Sequence, residues 1–188
     1  MPTTDRRAQK TRQALTDALL RLLKDTAWED ISIQQLCAEA NCGRTTFYAH
    51  HPHKDSLLMA AMHTWRDSML SQAAAPETRR EPFAYLTPLV NHMTEQRAVF
   101  RSVMGRRGSG PVEREFRALV LQLLQATPPC APHTPPAPDW DLTARFIAGG
   151  WVDLMKWWVE TPSPVPSPTL MARMRQLAHN AMQPPAPG

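Results

Sequence analysis

Residues 32–50 constrain the fold of this chain more tightly than any other stretch. Ser32 offers a hydroxyl that can cap a helix start, and Gln35 stands three residues later, the capping-box spacing that satisfies orphan N–H groups reciprocally. Ile33, Leu36, Cys37 and Ala40 recur at helical spacing, and Asn41 follows as a residue that tolerates the left-handed conformation needed to stop a helix. Residues 43–50 then form a second short helix, with long polar groups on one side and Phe47 pointing inward. Two short helices around a tight turn make a helix-turn-helix.

Prolines punctuate the rest. Residues 3–51 contain none, as packed helices require, whereas later segments start or stop at them. A long fourth helix is predicted over 54–74, with Leu58, Met62, Trp65 and Met69 on one stripe, ending before Pro76. Pro82 suits a first turn, so 82–104 reads as one or two helices, bent or restarted at Thr87 and Pro88. Gly105, Gly108 and Gly110 with Arg106 and Arg107 read as a basic loop. Pro111 opens a helix carrying Phe116, Leu119, Val120, Leu123 and Leu124. Residues 128–138 hold six prolines in eleven positions, too many for regular structure, and read as a surface linker.

A helix over 139–160 follows. At the 3.6 period Arg145, Gly149, Asp153, Lys156 and Glu160 gather on a narrow polar strip, and most of the remaining circumference is apolar. A surface helix needs one apolar stripe, so this one requires cover on two sides. Ala148, Gly149 and Gly150 allow close approach of another helix. After Ser167 and Pro168, a final helix aligns Leu170, Met171, Met174, Leu177, Ala178 and Ala181. Two such helices from each of two subunits would form a four-helix interface around a two-fold axis, using Phe146, Gly149, Gly150, Trp157, Met171, Met174 and Leu177.

Composition bounds the function classes. The 188 residues, 43% of them hydrophobic, suffice for one small domain fused to a larger core. No run of eighteen apolar residues and no basic-then-apolar leader occurs, which predicts a cytoplasmic chain without a membrane partner. The formal charge is +4, yet residues 1–70 hold nine Lys/Arg against eight Asp/Glu, a net of +1, so bulk charge does not locate a binding surface. Cys37, Cys42 and Cys130 lack the paired spacing of a zinc site or redox motif, and the first two read as core packing, with thiol sensing the lesser alternative. His50, His51 and His53 cluster without metal-ligand spacing. No phosphate loop or nucleophile elbow is present. Neither a metal nor another cofactor is expected, and the chain does not read as an enzyme.

The segment Cys42-Gly43-Arg44-Thr45-Thr46-Phe47-Tyr48-Ala49-His50-His51-Pro52-His53-Lys54-Asp55 resembles the TetR/AcrR family of bacterial transcriptional regulators. Upstream, Arg12, Leu15, Ala18, Leu19, Leu22 and Leu23 match that family's first helix, and Trp28 its following aromatic. Gly43, Asn41 and His51 depart from the family's usual cap, glycine and aromatic. Residues 146–158 look more loosely like the C-terminal region of some members. The resemblance implies an all-α protein of about nine helices: a three-helix helix-turn-helix domain at 8–68, joined through the fourth helix to an all-helical ligand-binding and dimerisation domain at 69–188. It further implies a homodimeric regulator, a repressor by expectation, on a palindromic double-stranded DNA operator. An activator, or a co-regulator acting through protein partners, is the alternative.

Named residues follow from that reading. Arg44 is expected to contact guanine and Thr45 to contact base edges, with Gln34 beside them. Ser32, Thr46, Tyr48, His50 and Lys54 are expected on phosphates. Arg6, Arg7, Lys10 and Arg12 lie near the same helix starts. A small apolar or aromatic effector is expected among Met62, Trp65, Met69, Met93, Phe100, Met104 and Phe116, together with Trp151, Met155 or Trp158. The ten methionines and six tryptophans favour adaptable walls there, although most of these side chains should be core. Arg66, Arg117 or Arg145 would meet an anionic end of the effector.

Overall fold

The computed structural model describes residues 3–75, 83–104, 109–126, 139–162 and 165–182, with residues 3–5 and 109 described by backbone alone. The expected linker at 128–138, Cys130, Pro82 and the glycine-arginine loop at 105–108 lie outside the described residues. Among those described there are nine α-helices and one 3-10 turn: α1 (Thr3–Leu22), the turn Trp28–Asp30, α2 (Ile33–Glu39), α3 (Arg44–His50), α4 (Lys54–Ala73), α5 (Leu86–Glu95), α6 (Arg97–Met104), α7 (Ser109–Ala126), α8 (Trp140–Glu160) and α9 (Ser167–Ala181). The all-α expectation holds.

Local chemistry sets these boundaries. Ser32 caps α2 and Gln35 returns the bond, so the capping box forms in full. Asn41 adopts φ 51° and ends α2. Gly43 occupies the N-cap of α3 without a side-chain bond to offer. Pro111 sits in the first turn of α7, where its missing N–H costs nothing, and α7 starts two residues earlier, at Ser109. Pro168 does the same for α9. The expected restart near Pro88 falls at the beginning of α5, and a second break, unforeseen, separates α5 from α6 at Gln96.

The chain divides into two interleaved compact units, one of Met1–Trp65 with Ala98–Val112 and one of Arg66–Arg97 with Glu113–Gly188. In the first, α1, α2 and α3 pack on one another. Leu15, Leu19, Leu36, Phe47 and Leu57 are fully enclosed. Removing a side chain such as Phe47 to Ala from such a site costs about 3–5 kcal/mol, which anchors α3 firmly. Ser102 Oγ of α6 donates to the Thr26 carbonyl at 2.7 Å, and Trp65 meets Phe100 edge to face at 5.6 Å.

The second unit is organised around α8. Ala144, Ile147, Ala148, Trp151, Val152, Met155, Trp158 and Val159 form its buried face. Both buried indoles are tied to backbone: Trp151 Nε1 donates to the Met174 carbonyl at 3.1 Å, and Trp158 Nε1 to Val165 at 2.7 Å. Phe83, held at φ 61°, packs edge to face on Trp151 at 5.3 Å. Arg97 lies over the Trp158 ring and donates to the carbonyls of Trp158 and Thr161, closing the end of α8. Lys156 and Arg117 both bond Glu113, and these bonds, that to Lys156 foremost, hold its carboxyl below the usual range.

Candidate nucleic-acid interface

α3 presents one polar face. Arg44, Thr45 and Tyr48 are exposed, Thr46 and His50 are half-buried, and Phe47 is enclosed. This separation follows from the helical period: residues 44, 45 and 48 share a side, and 47 lies opposite. Arg44 Nη2 donates to Gln34 Oε1 at 3.1 Å, which joins the start of α3 to exposed Gln34 on α2. One bond to Gln34 leaves most of the guanidinium fork free for a bidentate acceptor. Tyr48 is 54% exposed and its ring stands perpendicular to Phe47, at 5.6 Å between centroids. Arg6, Arg7, Lys10 and Arg12 of α1 are exposed as well.

Two of the residues expected on phosphate have other work. Lys54 Nζ donates to the carbonyls of Trp28, Ile31 and Glu29 at 2.9, 2.9 and 3.1 Å, and lies over the Trp28 ring at 4.6 Å. An ammonium has three N–H donors, and all are used. A cation at a helix N-terminus opposes the helix dipole, so this position needs those carbonyls. Lys54 is therefore a bracket across the α1–α2 connection, and a phosphate would have to displace it. Ser32 Oγ accepts from Gln35 N–H at 3.2 Å and donates to Gln35 Oε1 at 2.8 Å, so its hydroxyl serves the helix cap. Arg21, which the sequence reading did not single out, pairs with Glu39 and braces α1 against α2.

His51, standing where an aromatic was expected, is buried against Phe47 with 5.8 Å between ring centroids, and its Nε2 has no hydrogen-bond partner. Burial first, then His50 and Arg12, push its pKa below the ordinary value. His53 instead accepts from Ser56 N–H at its helix start. Among the described residues no group of three or more His, Cys, Asp or Glu side chains is placed to hold a metal ion.

The residues expected around an effector divide between the units. Met62, Trp65, Phe100 and Met104 belong to the first and Met69, Met93, Phe116, Trp151, Met155 and Trp158 to the second. Met62 and Trp65 are half-buried and the other eight are buried. The arginines expected for an anionic end are already paired: Arg66 with Asp67 and Glu115, Arg117 with Glu113, and Arg145 with Asp141. An effector carboxylate would compete with a resident one at each.

The expected subunit surface divides too. Leu142 and Phe146 are 71% and 73% exposed on α8, and Trp157 and Leu177 are each 48% exposed. A Cβ added to Gly150 would meet nothing within 4 Å, whereas one on Gly149 would lie 3.4 Å from Arg117 Nη1. Met171 is half-buried. Met174 cannot face a partner. It is fully enclosed, since Leu170, Met174 and Ala178 form the face with which α9 packs on its own unit.

No protein-family model matches the sequence. No curated protein matches it either. Solved structures do match, over nearly the whole chain. A TetR transcriptional regulator from Streptococcus agalactiae 2603V is 20% identical, with 94% of this chain and 97% of that chain covered and a TM-score of 0.66. The dihydroxyacetone kinase operon activator DhaS is 14% identical, with 92% and 96% covered and a TM-score of 0.71. FadR of Thermus thermophilus, a TetR-family repressor in complex with lauroyl-CoA, is 15% identical, with 94% and 99% covered and a TM-score of 0.53. The fold of this chain is thus the TetR fold. Among the described residues no helix is long and apolar enough to cross a membrane.

Proposed function

We propose that this chain is a one-component transcriptional regulator that binds a palindromic DNA operator as a homodimer, with DNA reading in residues 8–68 and effector binding and dimerisation in 69–188. The observation that carries the reading is the outward face of α3, where Arg44 is joined to Gln34 and flanked by Thr45 and Tyr48 above an enclosed Phe47. Such a helix fits the major groove, with Arg44 bidentate to guanine and Thr45 against a base edge or thymine methyl. Tyr48, Thr46, His50 and the exposed cations of α1 supply phosphate contacts. A co-regulator working only through protein partners would have no use for this polar, arginine-headed face.

Two copies would meet through the exposed apolar residues of α8 and α9, namely Leu142, Phe146, Trp157 and Leu177, with Gly150 open between them. Their reading helices would stand one duplex turn, roughly 34–36 Å, apart on the operator. Repression is our choice of sign. The similar solved structures include both an activator and a repressor. A predominantly apolar effector is favoured because Arg66, Arg117 and Arg145 are already paired with carboxylates.

The test is selection of duplexes from a random library, followed by affinity measurements with Arg44→Ala. The variant should keep its thermal stability, since Arg44 is exposed, and lose about 1–3 kcal/mol of discrimination at one position of each half-site. Unaltered preference would remove Arg44 from base reading. Failure to enrich any duplex would overturn the function itself.

A further inference from the structure

The turn between α2 and α3 brings two cysteines together by its own geometry. Ala40 caps α2, Asn41 takes the left-handed conformation at φ 51°, Asn41 N–H donates to the Ala38 carbonyl at 3.2 Å, and Cys42 N–H donates to the Cys37 carbonyl at 2.9 Å. This pair of bonds is the Schellman motif, in which the side chain three residues inside the helix end meets the one two residues beyond it. Here both positions are cysteine, and both are free thiols. The two side chains interact, since Cys37 is among the groups that raise the pKa of the Cys42 thiol. Disulfides need Cα atoms about 4.4–6.8 Å apart, a separation compatible with the direct backbone bond between these two residues. Cys37 is buried and Cys42 half-buried, so Cys42 is the more accessible residue of the pair.

We propose that Cys37 and Cys42 are a redox modification site: a small-molecule disulfide converts them into an intramolecular bridge that staples the helix-turn-helix at the start of the reading helix. Cys42 reacts first. Its thiol gives up a proton to solvent, and the thiolate attacks one sulfur of the small disulfide. That S–S bond breaks, a mixed disulfide forms on Cys42, and one half leaves as a thiolate that takes up a proton. Cys37, deprotonated in turn, attacks the Cys42 sulfur and expels the second half as a thiol. Two protein thiols are oxidised by two electrons and one small disulfide is reduced to two thiols. The thiolate is the nucleophile, so the rate rises with pH. Burial, and then the neighbouring Cys37, push the Cys42 thiol above its ordinary pKa, which slows the first attack.

Bridging draws the two sulfurs to a bond length of about 2.05 Å. Cys42 immediately precedes Gly43, the N-cap of α3, and Arg44 follows. Oxidation therefore constrains the backbone at the origin of the reading helix. This consequence rests on the DNA-binding reading above, whereas the chemistry does not.

The experiment uses the full chain carrying Cys130→Ser, folded by circular dichroism, and oxidised glutathione at pH 8. Two thiols should disappear, the intact mass should fall by two hydrogens with no glutathione retained, and a peptide linking Cys37 to Cys42 should appear. Cys37→Ala in the same background should retain one glutathionyl group on Cys42, and Cys42→Ala should react more slowly. Should either variant fold poorly, the peptide map of the Cys130→Ser chain decides alone. Two surviving thiols, two separate adducts or bridging only between chains would overturn the site. Oxidised protein should bind its selected duplex about tenfold more weakly, with recovery on adding a dithiol. A bridge that leaves affinity unchanged overturns the regulatory proposal. If reduced protein binds no duplex, the DNA reading fails, and the peptide map still judges the thiol pair.

Discussion

The outward surfaces of α3 and α8 differ: α3 shows a polar set, whereas α8 shows large apolar side chains beside charged ones. Around α3, several polar side chains near the turn are engaged within the fold: Ser32 and Gln35 close the cap, Lys54 brackets carbonyls of the preceding connection, and Arg21 pairs with Glu39. What is left outside is a short polar set led by Arg44. In the second unit the polar atoms of two large aromatics are consumed, with Trp151 and Trp158 donating to backbone carbonyls, and α8 leaves Leu142, Phe146 and Trp157 exposed beside the charged Asp141, Arg145, Asp153 and Glu160. The residues that are exposed and unspent identify a surface better than the residue types near it do. On the proposed function, the polar remainder meets DNA and the apolar remainder a second copy.

The contrast breaks first at Lys54. If its ammonium is structural, Lys54→Ala removes three charge-assisted bonds and should cost about 2–4 kcal/mol in denaturant unfolding, with affinity for DNA falling only through lost fold. A cost under about 1 kcal/mol, together with a flatter salt dependence of DNA binding, would return Lys54 to the phosphate surface. At the apolar surface, Gly150→Arg should leave the fold intact, because its Cβ enters open space, yet press a guanidinium on a partner helix. Dimer affinity should drop by at least about 2 kcal/mol, roughly thirtyfold, in sedimentation. A dimer that persists would place the subunit contact elsewhere.

His51 sharpens the first unit. Its depressed pKa means that the folded chain holds it neutral, while the unfolded chain takes up a proton near the ordinary value of 6.5. Its contribution is thus fully present above about pH 6.5 and is lost as the pH falls toward the folded pKa. His51→Phe removes an unpartnered buried nitrogen and keeps a ring against Phe47, so it should raise stability by about 1 kcal/mol and flatten this acid slope. An unchanged slope between pH 7 and 5 would assign it to another group. The smallest effect belongs to Gly43→Ser. With only Thr46 Oγ1 near the added Cβ, at 4.0 Å, the new hydroxyl can cap α3, for a gain of about 0.5 kcal/mol. No gain in melting temperature would mean that the α3 start is satisfied by water.

Short-range chemistry was legible in the sequence. The Ser32–Gln35 capping box, the stop at Asn41, the enclosed Phe47, the first-turn prolines of α7 and α9 and the outward Arg44 all depend on partners within a few residues, so their spacing carried the information. Lys54 was read as a surface cation because its acceptors lie twenty-three to twenty-six residues back. Met174 shares a helical stripe with exposed Leu177, and only the packing of α9 with α5 and α8 decided which of the two is enclosed. Likewise Arg66 and Lys156 found Glu115 and Glu113 across the second unit. By itself the sequence determined most helix ends, though not the break at Gln96, and the periodic stripes along each helix, since backbone hydrogen bonding and the 3.6 period are local. Tertiary structure alone decided which polar and apolar side chains are spent internally and which remain for a partner, because that assignment depends on distant groups meeting in space.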